Sequence, residues 1–238
     1  TPFVRALELC YGLIYGDFDG LREKLDEIFG LARGTGNAFL VARLYVLRGW
    51  YALLAADDTI DLTWPAEIPE PTGPEAVLRS LVERQIAVRR GEPTGPNPPP
   101  PPAELLNAHA IARTIAGEER LLAGDVTGAI DQLQVAIRMA RESGDIVFDA
   151  GATSMACAAY LAAGADSALD DVAGELRVMG RDSPLIRNEG VFFAAVAKRG
   201  AFDPATFERL AAQGSVSPRA ARWSQALLGA SVQLDRID

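Results

Sequence analysis

The sequence predicts an all-α protein built from antiparallel helical hairpins, and three observations carry that prediction. Apolar residues recur at the three-and-four spacing of a single helix face through nearly the whole chain. A phrase near the start, YGDFDGLREKLDEIFGLARGTGN at residues 15–37, returns without a gap 108 residues later as AGDVTGAIDQLQVAIRMARESGD at residues 123–145. Strand evidence is poor throughout, with no alternating β-branched run bounded by turn signals.

The elements follow in order. Residues 3–15 form an apolar-periodic run before the first phrase. The second helix, 18–33, carries its stripe on Phe18, Leu21, Leu25, Ile28, Phe29 and Ala32. Asp17 stands where a cap accepts orphan amide hydrogens, and Arg33 followed by Gly36 closes the helix. The third, 37–56, is apolar almost throughout. It is the most membrane-like stretch, but Arg43 and Arg48 would each cost about 2.5 to 3.5 kcal/mol near a bilayer centre, so it reads as a buried soluble helix. The fourth, 75–90, has Leu78, Leu81, Val82 and Ile86 on its core face, with Glu75 in its first turn and Arg89 and Arg90 in its last, matching the macrodipole.

The fifth helix, 103–123, leads into the second phrase. There the sixth, 126–142, repeats the stripe on Val126, Ala129, Ile130, Leu133, Ala136, Ile137 and Ala140, between Asp125 as cap and Gly144 as stop. Helices at 146–163 and 165–179 divide at Gly164, and 184–199 ends at Gly200. Asp203 with Pro204 and Ser217 with Pro218 open the last two, 204–213 and 217–232, by pairing a cap with a first-turn proline. About 11 helices therefore pair as hairpins 3–33, 37–90, 103–142, 146–179 and 184–213, with a closing helix at 217–232, in one domain spanning residues 1–238. The glycines at 124, 164 and 200 mark a unit of 36 to 40 residues.

Two segments interrupt the rhythm, at residues 57–74 and 91–102, and alternate connections of an up-down stack place them on opposite edges. Trp64 in the first is expected to fold back on the scaffold. Asp57, Thr59 and Asp61 resemble the start of a calcium loop, but Leu62 stands where the turn glycine belongs and Ile68 where the closing Glu belongs, so that reading fails. The polyproline run at 98–102 reads as a stiff spacer, with an SH3-like or WW-like ligand as the other possibility.

Composition excludes several functions. With 49% apolar and 23% charged residues the chain is globular, and a net charge of −9 argues against direct nucleic-acid binding, which needs a concentrated basic surface. Cys10 and Cys157 sit in apolar helical runs and read as small buried hydrophobes in a reducing, cytoplasmic compartment. The chain opens on Thr1 inside a helical pattern, as a piece of something longer would. No catalytic constellation is visible. The lone His109 lies among Ala and Ile, there is no zinc spacing, phosphate loop or nucleophile elbow, and Asp170 and Asp171 point to different helix sides. Neither catalysis, nor a metal, nor a cofactor is expected.

Gly117 on the fifth helix, followed by Gly124, Asp125, Val126 and Ala129, resembles the tetratricopeptide repeat, in which a small residue on the first helix of each hairpin lets the second approach closely. Gly49 is its counterpart in the second hairpin and Cys157 in the fourth, with Tyr160 at the family's tyrosine place. Phe193 fills the small position of the fifth hairpin and Leu9 that of the first. A glycine inside a helix costs about 1 kcal/mol relative to alanine, so Gly49 and Gly117 imply a compensating contact. The ending ARESGD is similar to the degenerate repeats behind the ATPase or kinase module of large bacterial regulators, such as the maltose-regulon-activator class and repeat-tailed serine/threonine kinases.

That resemblance implies a right-handed superhelix of stacked hairpins, whose first helices line a concave groove. It places Arg43, Trp50, Thr114, Glu118, Ser154, Arg187 and Lys198 on the groove. Arg43, between Ala42 and Leu44, is expected to need a carboxylate or a ligand. The function so implied is a non-catalytic scaffold within a larger bacterial signalling protein, binding a protein, a peptide or another domain of the same chain, away from membranes. The alternative is a domain that senses a small-molecule effector for an adjacent ATPase or kinase.

Overall fold

The computed structural model describes residues 2–15, 18–57, 59–92, 94, 100–197 and 220. Among these there is no strand, and nine α-helices follow one another: α1 (Pro2–Tyr15), α2 (Leu21–Thr35), α3 (Ala38–Ala55), α4 (Pro74–Arg90), α5 (Leu106–Leu122), α6 (Val126–Ser143), α7 (Ile146–Ala162), α8 (Asp166–Met179) and α9 (Pro184–Ala197). One 3₁₀ turn, Gly180–Asp182, joins α8 to α9. The helices expected at 204–213 and 217–232 lie outside the described residues, apart from Ala220, which is helical and buried.

The repeated phrase folds as two helices with the same stop. Gly36 and Gly144 both take the left-handed conformation, at φ 67° and 69°, and the Gly144 amide closes on the carbonyls of Ala140 and Arg141. Their starts differ. In α6, Asp125 Oδ1 accepts the Gly128 amide at 2.9 Å, as expected of a cap. In the first copy the helix begins at Leu21 and not at Phe18. Gly20 occupies the cap position at φ 62° without a side-chain hydrogen bond, and Phe18 is left in the preceding turn. Helix α5 likewise starts three residues later than its periodicity suggests, because the Leu105 amide closes a turn onto the Pro102 carbonyl.

Each helix packs on the next from α1 to α9. A second set of contacts links odd-numbered helices, α1 to α3, α5 to α7 and α7 to α9, and α1 also meets α9. The close crossings implied by glycine are present. A Cβ at Gly49 would stand 2.1 Å from Val82 Cγ1, and one at Gly117 would stand 2.6 Å from Leu133 Cγ and 3.3 Å from the Ala129 carbonyl. Only glycine lets α3 meet α4, and α5 meet α6, at this distance.

Helix α3 is long and apolar enough to cross a membrane, but 67% of it is buried inside the fold. Both of its cations have partners. Arg48 is buried over the Phe29 ring and pairs with Asp26 at 2.8 Å, and Arg43 pairs with Glu75 at 3.0 Å.

The 57–74 segment is sewn to the helices behind it. Ile60 and Ile68 are buried, and Trp64 folds back against Tyr45, its indole N–H donating to the Ile68 carbonyl at 3.0 Å. The Tyr45 hydroxyl lies within hydrogen-bond distance of both the Leu62 carbonyl and Glu83, and Arg79 stacks over Trp64. Asp57 accepts from the Thr59 amide and from Arg22, and Asp61 from the Thr63 amide, so the carboxylates that resembled a calcium loop serve local turns.

Candidate functional site

The odd-numbered helices converge on one pocket of about 320 Å³. Helix α1 brings Cys10 and Leu13, and α3 brings Leu47, Trp50, Leu53 and Leu54. Ile111 and Thr114 come from α5, Val147, Phe148 and Gly151 from α7, and Leu185, Ile186 and Glu189 from α9. Among the described residues, α4 is the one even-numbered helix that contributes, through Gln85; Asp145, the cap of α7, also reaches the wall.

The wall is mainly aliphatic, with one aromatic pair. Trp50 and Phe148 meet edge to face, their centroids 5.5 Å apart at 74°, which ties α3 to α7 across the pocket. Gly151 sits mid-helix with nothing within 4 Å of where its Cβ would be. It lies on the pocket wall, with open space where its side chain would be.

Three polar residues of the wall, Gln85, Thr114 and Asp145, have clear hydrogen-bond partners. Gln85 is buried and donates from Nε2 to Glu118 Oε2 at 2.9 Å. Glu118, with no exposed surface, also accepts from Arg89 Nε at 2.6 Å. Arg89 Nη1 donates to the Leu53 carbonyl at 3.0 Å, while its Nη2 is buried without a partner among the described residues. Thr114 donates its hydroxyl proton to the Ala110 carbonyl at 2.9 Å. Asp145 Oδ1 accepts the Val147 and Phe148 amides, capping α7. Burial pushes the Cys10 thiol above its ordinary value, against the smaller opposing pulls of its backbone hydrogen bond and of Arg43. Cys157, fully buried, is pushed up further, by burial first and then by Glu189 and Glu175.

Of the residues expected on the groove, the structure brings Trp50 and Thr114 together here. Arg43 has the carboxylate partner expected of it, Glu75, and stays half exposed beside Phe39; it acts on Cys10 electrostatically without lining the pocket itself. Glu118 is one turn beyond Thr114 on the same stripe, but α4 covers it there and it is a buried ion-pair partner with no groove surface. Ser154 is buried inside α7, and Arg187 is exposed on a different side of α9 from Leu185, Ile186 and Glu189, its backbone pressed against Gly180. Lys198 lies outside the described residues.

Sequence reasoning missed Cys10, Gln85, Phe148, Gly151 and Glu189 as wall residues. Gly151 carried a sequence signal, since a mid-helix glycine needs a reason, but Gly30 and Gly174 carry the same one. Among the described residues no group of three or more His, Cys, Asp or Glu could hold a metal ion. No family model matches this chain, and no significant match is found among curated proteins or solved structures.

Proposed function

We propose that this chain is a non-catalytic, tetratricopeptide-like regulatory module, a right-handed stack of hairpins that takes a small, mainly apolar effector into the pocket on its inner row of helices. It serves a larger bacterial signalling protein, in which the occupied module acts on an adjacent ATPase or kinase domain. One observation carries the reading: α1, α3, α5, α7 and α9 all present side chains to a single cavity. A molecule seated there touches the first and last described helices at once, so its binding energy acts on the whole array.

The size of the cavity favours a small molecule over a peptide. Small-molecule pockets begin at about 300 Å³, and contact between α1 and α9 supports a closed site more than a long channel. An extended peptide needs such a channel along many repeats.

A thermal-shift screen of apolar metabolites, followed by protection of Cys10 from a maleimide, tests this. A ligand at about 100 times its Kd adds about 2.7 kcal/mol, or roughly 5 to 10 °C in a chain of this size. Hits should slow Cys10 alkylation, and Gly151→Leu should fold normally yet lose both effects. If no compound shifts the transition, or if hits leave Cys10 as reactive as before, the pocket is not the site and a protein-binding scaffold takes its place.

A further inference from the structure

Beyond the pocket, we propose that the corner where α8 turns into α9 is a docking surface for a short acidic segment of a partner protein, held by Arg177, Arg181 and Arg187. Glycine brings the three together. A Cβ at Gly180 would stand 2.5 Å from Arg187 Cα, and one at Gly190 would stand 2.8 Å from Arg177 Cγ. Gly180 therefore seats the first turn of α9, and the bare backbone of Gly190 leaves room for the Arg177 stem to cross α9 one turn from Arg187. Arg181 follows Arg177 by one turn, where the 3₁₀ turn continues α8. All three are exposed.

Elsewhere the chain neutralises its arginines. From Arg5 to Arg141 every described one pairs with a carboxylate, except Arg113, which donates to Gln132 at 2.8 Å, and the exposed Arg138. At the corner none of the three has an ion pair among the described residues, although they gather like charge in a chain whose net charge is −9. Glu175 on α8 is taken by Arg141 at 2.7 Å, and Asp182, next to Arg181, pairs with none of the three. The helix dipole accounts for Arg177 and Arg181, which close α8 and the 3₁₀ turn. It does not account for Arg187, which stands in the first turn of α9, at the end that repels a cation.

The surroundings decide which anion fits. None of the three arginines lines the cavity, so this is open surface and not a cup for a free ion. Val178, 71% exposed, precedes Arg181 by three residues, and Val191, 47% exposed, follows Arg187 by four, so apolar ground lies beside the guanidiniums on both helices. A nucleic acid or an anionic membrane would carry its charge past the corner onto the acidic remainder of the chain and offer the valines nothing. A short segment of mixed carboxylate and aliphatic side chains meets both demands, with its carboxylates on the arginine forks and its aliphatic groups on the valines.

Three fluorescein-labelled decapeptides, titrated with the whole chain at neutral pH and low salt and followed by anisotropy, test this: one of mixed Glu and Leu, one with Gln in place of Glu, and one with Gly in place of Leu. The Glu–Leu peptide should bind about tenfold tighter than the Gln peptide, the product of three exposed ion pairs each worth roughly twofold, and added salt should erode the difference. It should also bind more tightly than the Gly peptide, which leaves Val178 and Val191 bare. Combining Arg177→Gln, Arg181→Gln and Arg187→Gln should abolish the preference for Glu over Gln without lowering the urea midpoint, whereas Arg138→Gln on α6 should leave that preference intact. Equal binding of the Glu and Gln peptides overturns the proposal, as does a triple variant that keeps the preference. Inorganic tripolyphosphate binding as tightly as the Glu–Leu peptide overturns it in favour of a free anion. A wild-type dimer in sedimentation that the triple variant dissolves overturns it in favour of a second copy of the chain. If the triple variant fails to fold, Arg187→Gln alone, together with the order of the peptides on the wild-type chain, decides the matter.

Discussion

Replacing Gly49 with alanine should weaken the fold although it improves helix α3 in isolation. Within a helix the change from glycine to alanine contributes about 1 kcal/mol. The added Cβ, however, would stand 2.1 Å from Val82 Cγ1 and 3.6 Å from Ile86 Cδ1, where carbon atoms rest comfortably only at about 3.5 to 4.0 Å. Val82 is 1% exposed and β-branched, with a stiff χ1, so the clash is relieved by moving α4 and not by turning a side chain. Overpacking of this kind costs roughly 1 to 3 kcal/mol, which leaves a net loss of about 1 kcal/mol. Because the opposing contributions are similar in size, a double-mutant cycle is the informative measurement. Val82→Ala alone opens a void worth about 2 kcal/mol. In the double variant the new Cβ enters that void, and a favourable coupling of about 1 to 2 kcal/mol should appear in urea unfolding. Gly30→Ala is the control, with nothing within 4 Å of its Cβ, and should gain about 0.5 to 1 kcal/mol. If the single changes at Gly49 and Val82 add to within about 0.3 kcal/mol, the close α3–α4 crossing does not explain the glycine.

Glu118→Gln leaves the Arg89 guanidinium without its counter-charge, and the urea midpoint should report a loss of about 3 kcal/mol or more, much of it recovered when Arg89 and Glu118 are both replaced by Met. Cys10 should be alkylated slowly in the native protein, because burial raises its thiol, while Cys157 stays unmodified until the chain unfolds; intact-mass analysis with and without urea distinguishes them. Partial burial pushes the Asp57 carboxyl up, but the hydroxyl and amide of Thr59, together with Arg22, outweigh it and hold the group below 3.8. A depressed folded value gives stability that is whole above that ordinary value and is lost as pH falls through the lower folded one. The stability difference between wild type and Asp57→Asn should therefore be constant near neutral pH and disappear in strong acid, as read by urea titrations across pH.

The helices were legible because their signals are local. Stripe, capping aspartate and stop glycine sit within a few residues of one another, as in Asp125, Leu133 and Gly144. Even so, the gapless match between the two phrases misplaced the start of α2. Phe18 satisfies the stripe as well as Val126 does, and only backbone geometry reveals that Gly20 takes over as the cap. The site was harder to read because it is assembled from residues more than a hundred positions apart. Trp50 and Thr114, both expected on the groove, do line the pocket, because α3 and α5 each turn that side toward it. Glu118 was misassigned because a stripe tells which side of a helix a residue occupies, not whether the next helix still covers that side one turn further on. Arg43 announced its need for a carboxylate, but Glu75 could be named as its partner only from the structure.

The two helices least amphipathic in sequence, α3 and α7, explain why the pocket lies where it does. A helix that is apolar on every side must be covered on every side. Helix α7 meets that demand along its second half, where Ala152–Ala159 are buried without interruption beneath α5, α6, α8 and α9. Its first turns, with Val147, Phe148 and Gly151, face the cavity instead. Helix α3 does the same through Leu47, Trp50 and Leu54. On that face the sequence has a glycine at position 151, at a propensity cost of about 1 kcal/mol. Gly49 and Gly117 offset that cost through contacts with Val82 and Leu133. Gly151 has no such contact and, unlike Gly30 and Gly174, which also have none, it stands on the pocket wall.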